Sequence, residues 1–91
     1  MAKVEIYTKS WCPYCTHAKA HLDRKGVSYT EIDVTTDAVR ELEMTIRSER
    51  HTVPQIFIDD VHLGGSDELR AADASGRLDR LLAGSAQGEA A

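Results

Sequence analysis

The sequence predicts an α/β domain: a four-stranded mixed sheet flanked by three helices in the order βαβ-α-ββ-α. Three observations carry that expectation. Alternating runs rich in β-branched and aromatic residues stand at residues 4–8, 27–34 and 53–58. Segments with a helical apolar period and recognisable start and stop residues lie between and after them. The whole chain is 91 residues long, which leaves room for one core only.

Val4-Glu5-Ile6-Tyr7-Thr8 alternates and reads as the first strand. Ser10 to Pro13 reads as a helix start, because a proline at an early helical position gives up an N–H that has no partner there anyway. Cys15, Ala18 and Leu22 then recur on one helical face until Gly26, a suitable stop. Residues 27–34 alternate again, and a strand–helix–strand unit with a helix-length crossover requires a parallel pair. Thr35-Thr36-Asp37 caps a second helix in which Val39, Leu42 and Ile46 share the apolar face. Residues 53–58 form the third strand, with Pro54 confined to its beginning because it cannot donate to a ladder. Asp59-Asp60 turns the chain into a short antiparallel strand at residues 61–63. Gly64-Gly65 turns it again, Ser66 or Asp67 caps the last helix, and Leu69, Leu78, Leu81 and Leu82 supply its apolar positions, with Gly76 weakening its middle. The domain is expected over residues 1–83, with residues 84–91 as a small, polar, flexible tail.

Composition narrows the function. Hydrophobic residues at 42% and charged residues at 29% suit a folded domain rather than a disordered one. A net charge of −4, with one Trp and one Phe, lacks the basic footprint of a nucleic-acid binder. The charge is uneven: residues 1–25 hold five basic and two acidic side chains, the remainder six basic and thirteen acidic. Both cysteines fall in the basic stretch. No apolar run approaches the ~20 residues of a membrane span, and a charge interrupts the first residues where an export signal would have its apolar core. Two cysteines are too few for a secreted disulfide scaffold, so a reducing cytoplasm is the expected compartment.

Cys12-Pro13-Tyr14-Cys15 is the chief chemical signal. A C-x-x-C that follows a first strand and opens the first helix of a βαβ unit reads as a thiol–disulfide redox pair. A cysteine at a helix N-terminus faces unpartnered N–H groups and the positive end of the macrodipole, which favour its thiolate. Lys9 adds a cation nearby. Cys12 is thus the expected nucleophile and Cys15, one turn deeper, the resolving thiol. Three plainer readings compete. A structural disulfide would close only a tiny loop in a reducing compartment. A zinc site could draw on His17 and His21, at i and i+4, but no second C-x-x-C completes it, and no metal is expected. Two inert buried thiols would leave the intervening proline unexplained. His17 and His21 are read as solvated surface residues, Tyr7, Tyr29 and Phe57 as core, and Trp11 as exposed on the rim beside Cys12.

Residues 9–15 (KSWCPYC), 52–58 (TVPQIFI) and 64–69 (GGSDEL), taken together, resemble the three signature segments of the dithiol glutaredoxins, nearest to the bacterial glutaredoxin 3 type. The likeness runs from about residue 3 to residue 82. It implies a thioredoxin-like fold and a glutathione-dependent thiol–disulfide oxidoreductase with a potential of about −200 to −230 mV. It implies glutathione as co-substrate, glutathionylated or disulfide-bearing proteins as partners (ribonucleotide reductase among the family's), and a monomer. Pro54 becomes a cis-proline, with Thr52 and Val53 holding the cysteinyl part of glutathione. Gly65, Ser66 and Asp67 hold its γ-glutamyl end, Lys9 attracts the glycyl carboxylate, and Tyr14 lines the groove. Arg47 and His51 are further candidates for carboxylate contacts. Trp11 and Glu49 depart from the family's usual small or polar residue and glycine. Two rivals remain: a redoxin reduced by thioredoxin reductase, and a dimer carrying an iron–sulfur cluster through Cys12 and glutathione, which Pro13 disfavours.

Overall fold

The computed structural model describes residues 2–84, so the expected tail lies outside the described residues except for Gly84. The elements are β1 (Val4–Thr8), α1 (Pro13–Arg24), β2 (Thr30–Asp33), α2 (Ala38–Ser48), β3 (Gln55–Ile58), β4 (Val61–Gly64), α3 (Ser66–Ser75) and α4 (Arg77–Leu82). The strands lie in the order β2-β1-β3-β4. β1 pairs in parallel with β2, as the helical crossover requires, while β3 is antiparallel to both β1 and β4. The fold is the expected mixed α/β sandwich of the thioredoxin-like class.

Alternation along β1 divides the core. Val4 and Ile6 point to one face with Ile56 and Ile58, where Ala18 and Leu22 of α1, Leu69 and Ala72 of α3, and Leu78 and Leu81 of α4 cover them. Tyr7 points to the other face with Ile32 and Phe57, where Val34, just after β2, and Met44 of α2 complete a smaller cluster. Among the described residues, three helices therefore pack on one side of the sheet and α2 on the other. Among the described residues no helix is long and apolar enough to cross a membrane.

Four expectations need correction. The last helix is two: Gly76, at φ +84°, ends α3 and begins α4, because a left-handed residue cannot continue a helix. The second strand is shorter than expected, beginning at Thr30 rather than Val27. His21 is not solvated; its Nε2 lies 2.6 Å from the Asp73 carboxylate and ties α1 to α3.

The fourth correction concerns α2. Asp37 caps it as expected, accepting from the Arg40 N–H at 3.0 Å. Yet Val39, Leu42 and Ile46 are 77%, 60% and 69% exposed. The side that meets the sheet carries Met44 and Ser48, and the Arg47 guanidinium lies 4.0 Å over the Phe57 ring. A buried phenol needs hydrogen-bond partners, and α2 supplies them. Tyr7 donates to Glu43 and accepts from Arg47 at 2.8 Å, while Arg47 also reaches Glu5 at 3.1 Å. The polar demands of Tyr7 thus decide which face of α2 turns inward.

Two turns use left-handed backbone at non-glycine residues. Asp59 and Asp60, at φ 50° and 67°, make the two-residue turn between β3 and β4. Glu49, at φ 59° and ψ 27°, is the C-terminal cap of α2, and its N–H reaches the Thr45 carbonyl at 2.8 Å. A side chain in that conformation costs about 1–2 kcal/mol, part of which a glycine would lose again to the entropy of the unfolded chain. Glu49→Gly is expected to stabilise the fold by about 0.5–1 kcal/mol. Urea unfolding should show a higher midpoint at an unchanged slope.

Candidate active site

Cys12 is the residue from which α1 begins. It stands in extended conformation as the N-cap, Pro13 follows at the first helical position, and the Cys12 sulfur accepts the Cys15 N–H at 3.3 Å. Its own N–H is held by the Lys9 carbonyl at 3.2 Å, closing the turn that carries the chain from β1 into α1. A sulfur in the capping position serves as the acceptor that a Ser or Asp oxygen ordinarily supplies. The same arrangement places the positive end of the helix against any charge on Cys12.

The second component is the loop before β3. The Val53–Pro54 peptide is cis, and the Val53 carbonyl accepts the Cys12 thiol at 3.6 Å. The third is the start of α3. Gly65 is its N-cap, so the cap is neither Ser66 nor Asp67 as the sequence suggested. Having no side chain, Gly65 cannot cap for itself; the Glu68 carboxylate reaches back to its N–H at 2.6 Å. Its missing side chain matters elsewhere too, since a Cβ there would come within 3.2 Å of the Pro54 carbonyl. These two segments approach closely because that position is bare.

Between them runs a groove of about 460 Å³, lined by Tyr14, Thr52, Val53, Pro54, Gly65, Ser66 and Asp67, together with Arg50, Gln55, Glu68 and Arg70. Of the expected site residues, seven thus share one groove with Cys12 beside it. Lys9 does not join them: its Nζ pairs with Glu41 at 2.8 Å and lies 5.8 Å from the Trp11 ring. Arg47 is committed to Tyr7, Glu5 and Asp60 below α2, and His51 is exposed outside the groove. Asp67 is exposed and hydrogen-bonded to Arg70, one turn on. Sequence reasoning missed Arg50, Gln55, Glu68 and Arg70. Glu68, three residues after a glycine that opens a helix, carried a readable capping signal; Arg50 and Gln55 carried none, because the cis turn that brings them in has no local pattern.

The two thiols stand in different surroundings. Burial, reinforced by the hydrogen bond with Cys12, pushes the Cys15 thiol up from about 9 to about 12, against a smaller opposing pull from a backbone hydrogen bond at Lys9. At neutral pH, Cys15 therefore keeps its proton. Both cysteines are free thiols. Among the described residues no group of three or more His, Cys, Asp or Glu is placed to hold a metal ion.

The Glutaredoxin family profile matches residues 4–63. The chain belongs to the glutaredoxin family. It is 58% identical to glutaredoxin 3 of Escherichia coli K12 over 82 residues, covering 90% of this chain and 99% of that one. Among solved structures, the glutaredoxin of Brucella melitensis superposes with a TM-score of 0.80 at 51% identity, covering 90% of this chain and 89% of that chain. A buckwheat glutaredoxin–glutathione complex superposes at 0.82 with 25% identity, covering 90% and 77%. As a glutaredoxin, the chain is a thiol–disulfide oxidoreductase, and the Cys12–Cys15 spacing at the head of α1 matches a C-x-x-C motif.

One pH dependence follows for this glutaredoxin. The Cys15 value is higher in the folded state, about 12, than the usual thiol value near 9, so above pH 9 the unfolded chain releases a proton that the fold retains. The contribution to stability is complete below pH 9 and falls as pH rises toward 12. Chemical unfolding of the reduced protein across this range should show a steeper loss for wild type than for Cys15→Ser.

Proposed function

We propose that this glutaredoxin is a glutathione-dependent reductase of protein–glutathione mixed disulfides and protein disulfides, with Cys12 as nucleophile and Cys15 as resolving thiol. The observation that supports it is the seat of the Cys12 sulfur: capped by the Cys15 N–H at 3.3 Å, facing the Val53 carbonyl at 3.6 Å, and beside the groove between Val53–Pro54 and the head of α3.

In the first route the Cys12 thiolate attacks the glutathione sulfur of a mixed disulfide. The target's thiolate leaves and takes a proton from solvent. A second glutathione thiolate then attacks the adduct on its glutathione sulfur, giving glutathione disulfide and restoring the Cys12 thiolate. In the second route the Cys12 thiolate attacks one sulfur of a protein disulfide, whose other sulfur leaves as a thiolate and is protonated from solvent. The Cys15 sulfur then displaces the target from Cys12. Its proton passes to the departing sulfur, and two glutathiones later reduce the Cys12–Cys15 disulfide. Burial holds Cys15 protonated at neutral pH, so its attack in the second route has to release that proton.

Glutathione fits the groove end to end in this reading. Thr52 and Val53 hold its cysteinyl part by main-chain pairing, as an extended peptide adds to a strand edge. The N–H groups opening α3 take the γ-glutamyl carboxylate, Ser66 directly and Gly65 by exchanging the Glu68 carboxylate for it, and Asp67 takes its ammonium. Tyr14 walls the groove. Lys9 binds the glycyl carboxylate by exchanging Glu41 for it. The protein works as a monomer in the cytoplasm, and ribonucleotide reductase is one disulfide target that the family suggests.

Two variants test the assignment. With a glutathionylated peptide and glutathione as reductant, Cys12→Ser should lose turnover by at least about a thousand-fold. Cys15→Ser should retain it within a few-fold and lose the reduction of protein disulfides. The reverse pattern overturns the roles, and turnover that ignores glutathione but follows thioredoxin reductase favours the rival redoxin reading.

A further inference from the structure

A chain of hydrogen bonds leads from the far strand of the sheet to the carbonyl that faces the nucleophile. Gln55, at the head of β3, is buried, and its side-chain amide is fully used. Its Nε2 donates to the Thr52 carbonyl at 3.0 Å and to the Thr52 hydroxyl at 3.2 Å. Its Oε1 meets His62 Nε2 of β4 at 2.7 Å. Thr52 is joined through one peptide unit to Val53, whose carbonyl accepts the Cys12 thiol. A carbonyl oxygen can only accept, so the Thr52 carbonyl fixes the Gln55 NH₂ toward the loop and turns its oxygen toward β4. His62 must then donate from Nε2. The imidazole is itself braced, lying 5.0 Å from the Phe57 ring at a 32° tilt.

We propose that His62 is a positioning residue of the active site: its Nε2–H orients the Gln55 amide, which in turn holds the Thr52–Val53 segment at the distance from Cys12 that substrate needs. His62 does not line the groove and touches no reacting atom. Its effect passes through Gln55, which does line it. Burial, with Arg50 nearby, holds the imidazole below its usual range, so the ring is neutral near pH 7 and its single N–H is the one committed to Gln55. A buried amide oxygen deprived of that donor would find a new partner by rotating, and the two bonds to Thr52 would go with it.

The test has one arm that needs no glutathione and one that rests on the function proposed above. In the first, nitrogen NMR of the wild-type protein at pH 7.5 should show the His62 proton on Nε2. A ring protonated only on Nδ1 overturns the inference whatever the substrate proves to be. In the second, His62→Phe keeps the ring against Phe57 but removes the donor, and His62→Gln places an amide N–H close to the original Nε2. With glutathionylated peptide as substrate, His62→Phe should raise KM roughly ten-fold with kcat held within two-fold, and His62→Gln should restore KM to within two- to three-fold. An unchanged KM in His62→Phe, an equal fall in kcat, or failure of His62→Gln to rescue would each overturn it. If His62→Phe does not fold, Gln55→Glu serves instead, since a carboxylate cannot donate to the Thr52 carbonyl, and its KM should rise likewise. Absence of glutathione-dependent turnover in wild type would strike at the proposed function and leave the tautomer result standing.

Discussion

The sulfur of Cys12 occupies the capping position of α1, and this one interaction joins fold to chemistry. The N–H groups at the start of a helix need acceptors, and here the Cys15 N–H finds one in the atom that the proposed function makes the nucleophile. Everything around it serves to hold the arrangement. Ala18 and Leu22 seat α1 against the sheet, Pro13 sets the first turn, and the bond from Cys12 N–H to Lys9 fixes the approach from β1. The cis Val53–Pro54 loop and the bare Gly65 then bring two distant segments to the sulfur's side.

Much of this was legible because it is local. A strand followed by C-P-Y-C at a helix start carries its own geometry, and Cys15, Ala18 and Leu22 were readable as the buried face of α1. Thr52, Val53, Pro54, Gly65, Ser66 and Asp67 were reached through resemblance, and the fold draws them into one groove. Lys9 shows the limit of that route. Its position in sequence suits a carboxylate on the ligand, but the nearest carboxylate in three dimensions belongs to Glu41, on a helix whose approach no local pattern reveals.

α2 misleads for a related reason. Its period was read correctly and its orientation was not. Val39, Leu42 and Ile46 do share a face, but the space beneath the helix is claimed by a phenol and a guanidinium, and an apolar stripe cannot satisfy either. Hydrophobic spacing says which residues travel together. The partners that a buried polar group demands say which way they turn. The Gly76 break followed a different logic, since a glycine inside a helical pattern can be a mild defect or a stop, and only the backbone angle distinguishes them.

The far end of α1 is anchored more firmly than its active end. His21 meets Asp73, Lys25 bridges Asp73 and Asp79, and the Val27 N–H bonds to the Leu22 carbonyl. Four attachments therefore clamp the last turn of the helix to α3, to α4 and to its own exit loop. The proposed dithiol route would bring the two sulfurs within about 2 Å of each other, and a rod held at its tail shares little of any displacement that this requires. In the proposed oxidation, any backbone adjustment therefore falls to the first helical turn around Pro13 and not to the clamped tail.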